Sequence, residues 1–387
     1  MKEGVNLSTI LGIIAEYNPF HNGHLYQIKE IKKRYPDSTI ISVVSSSFTQ
    51  RGDISLLNKW DKTKIALDND IDLVIELPFV YSTQASDIFA EGSIKILNYL
   101  GIDTLVFGTE RDTIGDLELL ANIQINNKEY QEKVKQYLST GLNYATSTNK
   151  ALEDITNVKV DTPNDLLALS YIKQIKLNKY NIKYTNIKRT TSYHGCEIKN
   201  NISSASNIRK MSADNQDIAN LIPFDKKYLY KVSMNNYLDI LKYKVLSEDI
   251  NINKYQTVDE GIEGRIIDNI TKVTTYEELI QNIKTKRYTY NKISRMLLHI
   301  LTSFTKEEAS NIDIDYIRIL GFTTKGQEYL SKIKKNITIP IITGYKKNIS
   351  KVLDIEYRVT KIYSLFTSNN LIKKEYQIKP IIKENND

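Results

Sequence analysis

The chain has 387 residues and a net charge of +7, from 53 Lys and Arg against 46 Asp and Glu. A 41% hydrophobic and 26% charged composition excludes a disordered chain, and 15 Gly with 7 Pro excludes collagen-like and low-complexity classes. One cysteine, Cys196, rules out a disulfide framework or a multi-cysteine metal site, and four histidines leave little for a histidine-rich metal centre.

In chain order, Thr9–Ala15 reads as a buried strand. It is too short for a signal or a spanning segment, and no run of eighteen apolar residues occurs elsewhere. A cytoplasmic protein without membrane attachment is expected. Gly23–Arg34 follows with Leu25, Ile28 and Ile31 at helical spacing. Thr39–Val44 is the next strand, Asn58–Leu67 a helix, and Asp72–Leu77 a strand ended by Pro78. Ser86–Leu100 is a helix closed by Gly101, and Asp103–Phe107 a strand ended by Gly108. Nearly continuous apolar strands alternating with helices predict an α/β fold with a Rossmann-like parallel sheet covered on both faces. Ligands on such sheets bind beyond the carboxyl ends of the strands, after Ala15, Val44, Leu77 and Phe107.

Residues 113–180 read as mostly helical, with Pro163 opening a helix, and Ile182–Ile187 as a short strand. Thr190–Ser206 reads as a polar loop, and Ile208–Met211 opens a short helix. The pattern then turns helical: Lys227–Val245, Gly261–Lys272, Tyr276–Lys284 and Tyr290–Phe304. A small α/β piece follows, with Tyr316–Leu320, Lys325–Lys334 and Ile337–Ile342 as strand, helix and strand. Two domains are expected, 1–215 and a mainly helical 216–387. The 26 tyrosines read as compositional bias rather than as base-stacking sites.

The chemistry concentrates between the first strand and the first helix, where His21-Asn22-Gly23-His24 holds two of the four histidines. A helix N-terminus offers unpaired N–H groups and a positive dipole end to a phosphate. Two imidazoles in the same turn add donors, and Gly23 permits close approach. Such a turn can hold a nucleoside triphosphate and stabilise charge at its α-phosphate during in-line attack. Further along, Ser203-Ser204-Ala205-Ser206 leads into a helix carrying Arg209. Ser204, Ser206 and Arg209 suit the β- and γ-phosphates. No P-loop, G-x-G-x-x-G or G-x-S-x-G pattern is present. Cys196 beside His194 reads as a free thiol, because adjacent loop positions do not make the spatial pair a thiol nucleophile needs.

The His-x-Gly-His turn with a later Ser/Thr-x-Ile-Arg helix resembles the nucleotidyltransferase branch of the HIGH superfamily. The longer segment 12–24 (GIIAEYNPFHNGH) is similar to the start of the bacterial tRNA(Met) cytidine acetate ligases. So are Gln50-Arg51-Gly52, Glu76-Leu77-Pro78, Phe107-Gly108, Thr162-Pro163-Asn164-Asp165, Ile187-Lys188-Arg189 and Ile317-Arg318-Ile319-Leu320-Gly321-Phe322. Ala205 stands where the wider nucleotidyltransferases have a hydroxyl residue.

This resemblance implies a nucleotidyltransferase domain that activates acetate with ATP as acetyl-adenylate. The acetyl group then passes to the wobble cytidine of elongator tRNA(Met), giving N(4)-acetylcytidine. It implies an ATP site made of Ile13, Ile14, Ala15, Glu16, Tyr17, Asn18, Pro19, Phe20, His21, Asn22, Gly23, His24, Leu25 and Tyr26, with Gly108, Asn164 and Arg189. His21 and His24 are the expected catalytic pair; Mg2+ would accompany ATP rather than occupy a protein site, and no protein partner is indicated. A small-molecule adenylyltransferase is the alternative, opposed by the extra C-terminal half.

The charge distribution points to RNA independently. Residues 1–170 carry a net −7, residues 171–210 a net +8, and residues 211–387 a net +6. Lys173, Lys176, Lys179, Lys183, Lys188, Lys199 and Lys210 in the basic segment are the expected tRNA contacts.

Overall fold

The structure is a computed structural model that describes residues 9–190 and 197–384. The first half builds β1 (Ile10–Ala15), α1 (Asn22–Arg34), β2 (Thr39–Ser45), α2 (Lys59–Asp68), β3 (Leu73–Leu77), α3 (Phe79–Ser82), α4 (Ser86–Tyr99) and β4 (Thr104–Thr109). Four helices follow, α5 (Gly115–Asn126), α6 (Lys128–Ser139), α7 (Tyr144–Thr156) and α8 (Pro163–Leu177), then β5 (Lys183–Lys188) and α9 (Ala205–Ala213). The helical stretch holds α10 (Leu238–Glu248), α11 (Ile262–Ile270), α12 (Tyr276–Ile283), α13 (Tyr290–Leu301) and α14 (Lys306–Ser310). The chain ends with β6 (Ile317–Thr323), α15 (Thr324–Ile333), β7 (Ile341–Ile342), α16 (Lys351–Ser364), α17 (Asn370–Gln377) and β8 (Ile381–Lys383).

The strands form one sheet in the order β5-β4-β1-β2-β3-β6-β7, with β8 also on β6. β1 to β5 are parallel, and β6 joins β3 antiparallel. Strand order reverses between β1 and β4, which opens a crevice at their carboxyl ends. Alternation along the strands supplies both faces: Ile41 and Val43 enter one core cluster, Ile40 and Val44 the other. Ile28 and Ile31 of α1 and Ile65 of α2 cover the second face. The first face shares its core with α10 to α13 and α16, through residues such as Leu241, Ile266, Leu297 and Val359.

The parallel first half thus matches its sequence pattern, and the C-terminal half differs in three ways. The expected helix Lys227–Val245 is two 3-10 turns, Lys226–Tyr228 and Met234–Tyr237, before α10. Its first part is tied instead to the loop before α2, where the Tyr230 N–H donates to the Leu56 carbonyl at 2.9 Å and Asn58 donates to the Tyr230 hydroxyl at 3.0 Å. Second, the small α/β piece is an extension of the main sheet, because β6 pairs with β3. Third, α16, α17 and β8 were not legible in the sequence. The chain leaves the sheet after β5 at Lys188, before the change in pattern near residue 215, and 317–383 brings it back.

A buried charge cluster locks that return. Lys59 Nζ lies 2.5 Å from Glu76, 2.7 Å from Glu375 and 3.4 Å from Glu356. Arg318 reaches Glu375 at 2.6 Å and Glu76 at 3.3 Å. These five side chains from α2, β3, β6, α16 and α17 are buried, so each charge depends on the others for compensation. No helix among the described residues is long and apolar enough to cross a membrane.

Candidate active site

The turn after β1 is shaped by its own side chains. Tyr17 takes a positive φ of 46°, and the Asn18-Pro19 peptide is cis. The Asn18 amide clamps the loop before α2, donating to the Ile54 carbonyl at 3.1 Å and accepting the Leu56 N–H at 2.9 Å. His21 is the N-cap of α1, and its Nδ1 accepts the Gly23 N–H at 2.9 Å. His24 Nδ1 accepts the His21 N–H at 3.2 Å, and the two ring centroids lie 3.9 Å apart. Because both Nδ1 atoms accept, both neutral rings carry their proton on Nε2.

Burial, reinforced by Arg189 and Arg209, pulls the His21 imidazole down to about 3. Burial, His21 and Arg189 hold His24 well below its ordinary value. Both are therefore neutral donors at pH 7. The edge of Tyr17 against His24, with centroids 4.9 Å apart, fixes the second ring. One sequence expectation shifts here. The Gly23 N–H is engaged by His21, so the turn presents imidazole N–H groups more than free backbone ones. Gly23 is glycine for a related reason: a Cβ there would lie 2.7 Å from His21 Cε1.

A cavity of about 460 Å³ opens beside this turn, over the carboxyl ends of β1 and β4. Ile14, Ala15, Glu16, Tyr17, Asn18, His21 and His24 line it, as do Gly108, Asn164, Arg189, Ser204 and Arg209. Gly23 and Tyr26 line a smaller adjoining cavity with Gly108 and Arg189. Ile13 and Phe20 are core residues, and Leu25 packs on the same cluster. Pro19 shapes the turn; Asn22 donates to the carbonyls of Asn201 and Asn220, both at 2.8 Å, and so ties two loops to the turn. Ser204 caps α9 and lies 3.0 Å from the Ser206 hydroxyl, which is outside the cavity lining.

One acidic anchor, Glu110, was missed in the sequence, and Glu16, expected in the ATP site, has a second role as an anchor. Glu110 accepts from Asn164 at 2.7 Å and lies 3.4 Å from Arg189, so it sets both side chains beside Gly108. Glu16 accepts the Gln50 N–H at 2.6 Å and thereby holds the Gln50-Arg51-Gly52 loop at the cavity. Burial raises Glu16, against the pull of that N–H, Lys62, Arg209 and Arg51. Lys62 is brought down to about 7 by burial, opposed by Glu16. Neither role has a local pattern, since a lone acid after a strand reads as a turn residue.

The lysines do not form one patch. Lys173 lines the cavity but lies 3.0 Å from Asp87; Lys176 lies 2.9 Å from Glu118 and Lys188 2.8 Å from Asp112. Lys179 and Lys183 are exposed at the start of β5, the end of the sheet away from the crevice. Lys199 and Lys210 are exposed near Ile202 and along α9. His194 and Cys196 lie outside the described residues. Among the described residues no group of three or more His, Cys, Asp or Glu forms a metal site.

The family model described as HIGH Nucleotidyl Transferase matches residues 8–378. The chain is 34% identical to the tRNA(Met) cytidine acetate ligase of Anoxybacillus flavithermus, over 96% of this chain and 99% of that one. It is 35% identical to the enzyme of the same name from Bacillus subtilis, over 92% of each. The structure of Thermotoga maritima TmcAL bound with alpha-thio ATP is similar at a TM-score of 0.87 and 28% identity, over 97% of this chain and 100% of that one.

Proposed function

The chain belongs to the HIGH nucleotidyltransferases and, within them, to the tRNA(Met) cytidine acetate ligases, and on that premise we propose how its residues divide the work. It is an ATP-dependent ligase that acetylates tRNA(Met) at cytidine. The observation that carries the assignment of residues is the pair of neutral imidazoles, His21 and His24, facing the same cavity as Arg189 and Arg209.

In the first step an acetate oxygen attacks the α-phosphorus of ATP. The new O–P bond forms as the bond to pyrophosphate breaks. Acetate is already ionised at pH 7, so no base is needed. The His21 and His24 Nε2–H groups donate to the oxygens on which charge develops, at no cost of deprotonation or reorganisation. Arg209, with Ser204 at the start of α9, takes the departing phosphates, and Arg189 the α-phosphate side. Gly108 leaves room for the nucleoside, since even a Cβ there would stay 3.5 Å from the nearest side-chain atom. Asn164, set by Glu110, hydrogen-bonds the ribose or base.

In the second step the exocyclic amine of the elongator tRNA wobble cytidine attacks the acetyl carbonyl carbon. AMP leaves, and the amine loses one proton to give N(4)-acetylcytidine. Residues 1–215 activate acetate and 216–387 help hold tRNA, with the exposed Lys179, Lys183, Lys199 and Lys210 adding phosphate contacts. Mg2+ enters with ATP. A tRNA substrate and a single cysteine support a cytoplasmic location. Full-length relatives of one kind disfavour the small-molecule adenylyltransferase reading.

Incubation with ATP, labelled acetate and a tRNA(Met) transcript, followed by nucleoside mass spectrometry, tests this function. Acetylcytidine is expected, and its absence with intact tRNA overturns the reading. His24→Ala should abolish acetate-dependent ATP–pyrophosphate exchange while tRNA binding persists; retained exchange removes His24 from the first step.

A further inference from the structure

We propose that Arg51 and Arg295 form a second anion subsite in the cavity, which takes the phosphodiester beside the acceptor nucleotide. This rests on the tRNA-acetylating function above.

Arg295 lies on α13, one turn beyond Asn291, and both line the cavity wall with Thr289. Thr289 is the N-cap of α13, so the positive end of that helix faces the same space. Arg189 and Arg209 each have a carboxylate within 3.5 Å. Arg295 has none among the described residues; its Nη1 donates to the Gln50 carbonyl at 3.1 Å. Burial and the charge of Arg51 pull it down to about 10, so it stays charged at pH 7. A part-buried guanidinium with a like charge beside it and no carboxylate is relieved by a bound anion.

The pairing is built rather than incidental. Gly52 takes a φ of +82°, and a Cβ there would lie 2.7 Å from the Arg295 backbone nitrogen. The loop therefore touches the backbone of α13, and Ser294 donates to the Gly52 carbonyl at 3.3 Å. Glu16 holds the other side through the Gln50 N–H. The Gln50-Arg51-Gly52 motif is explained as a device that sets Arg51 against α13.

Position separates this subsite from the triphosphate. The charges that act on His21 and His24 include Arg189 and Arg209. Arg51 acts on Arg295, and Arg51 and Arg209 both act on Glu16. The Glu16 carboxylate thus feels both cationic ends, and its charge disfavours one continuous polyphosphate across them. A nucleotide that reacts at its exocyclic amine must leave its stack and enter the cavity, and its phosphodiester comes with it.

The test uses the full chain, wild type and Arg295→Gln, with two activity readouts: tRNA acetylation, and acetate-dependent ATP–pyrophosphate exchange without tRNA. The expected result is a KM for tRNA raised about tenfold or more and a salt slope of tRNA binding reduced by about 1, with the KM for ATP moved less than about twofold. Arg295→Lys should recover part of the loss, because it restores charge without the fork. A raised KM for ATP with an unchanged KM for tRNA assigns the pair to polyphosphate and overturns the proposal. So does the absence of any change. If Arg295→Gln melts below the wild type, Arg51→Gln, which leaves α13 intact, decides by the same readouts. Failure of the wild type to acetylate tRNA overturns the function itself, and is distinguishable because it needs no variant.

Discussion

Arg209 Nη1 donates to the Asn18 carbonyl oxygen at 2.9 Å, joining two residues 191 positions apart. The same guanidinium lies 3.5 Å from Asp53. One side chain therefore fastens α9 to the turn after β1 and to the Gln50–Asp53 loop, so α9 and the histidine turn move as one body. A fork with several donors can make both contacts at once; a single ammonium cannot do so with the same geometry.

Arg209→Lys should therefore keep the charge and lose the alignment. Acetate-dependent exchange is expected to fall by about 10- to 100-fold with only a small change in melting temperature. An exchange rate within twofold of wild type would show that charge alone suffices there.

The histidines set the acid side of the pH profile. Unfolded histidine titrates near 6.5, whereas His21 in the fold titrates at about 3. Between those values the unfolded state binds more protons, so stability falls as pH drops through that window and is fully present above it. Activity should accordingly show no limb near pH 6.5 arising from either ring. The measurement is exchange rate from pH 5.5 to 8 for the wild type. A limb near 6.5 would contradict a neutral resting pair.

What the sequence made legible was local. The strand–turn–helix around His21, the Asn58 cap of α2 and the Gly101 stop after α4 each follow from a few neighbouring residues. What it hid was non-local. The antiparallel pairing of β6 with β3 joins residues more than two hundred positions apart, and nothing in Ile317–Thr323 marks its partner. Lys59, Glu76 and Arg318 lie far apart in the chain, and they are buried because they find one another. Arg295 reads as one polar residue on an amphipathic helix, and only the Gly52 crossing brings it to the cavity.

The same distinction divides the lysines. Lys173 and Lys176 already face Asp87 and Glu118, so a phosphate gains little extra attraction from them. Lys199 and Lys210 are exposed. Reversing both to Glu should weaken tRNA binding and reduce its salt slope by about 2, whereas Lys176→Ala should leave the slope within about 0.5. Filter binding across a salt series measures both. Equal slopes for the wild type and the double variant would remove these lysines from the interface.

The buried cluster gives a stability prediction with a definite sign. Burial raises the Glu375 carboxyl, but Lys59 and Arg318 outweigh it and hold the group down to about 2. An unfolded glutamate titrates near 4.3. Its contribution is thus complete above pH ~4.3 and is lost as pH falls toward 2. Glu375→Gln removes one of the two carboxylates that both cations reach, and leaves Arg318 with Glu76 alone and Lys59 with Glu76 and Glu356. Breaking a buried pair in this way costs about 3–5 kcal/mol, because the remaining charges are not rehydrated. Urea midpoints at pH 7 should show that loss, and the gap between wild type and variant should narrow by about 1 kcal/mol at pH 3.5. A gap of constant size would mean that Glu375 acts through packing. A gap that widened on acidification would reverse the sign and show that the cluster favours its protonated form.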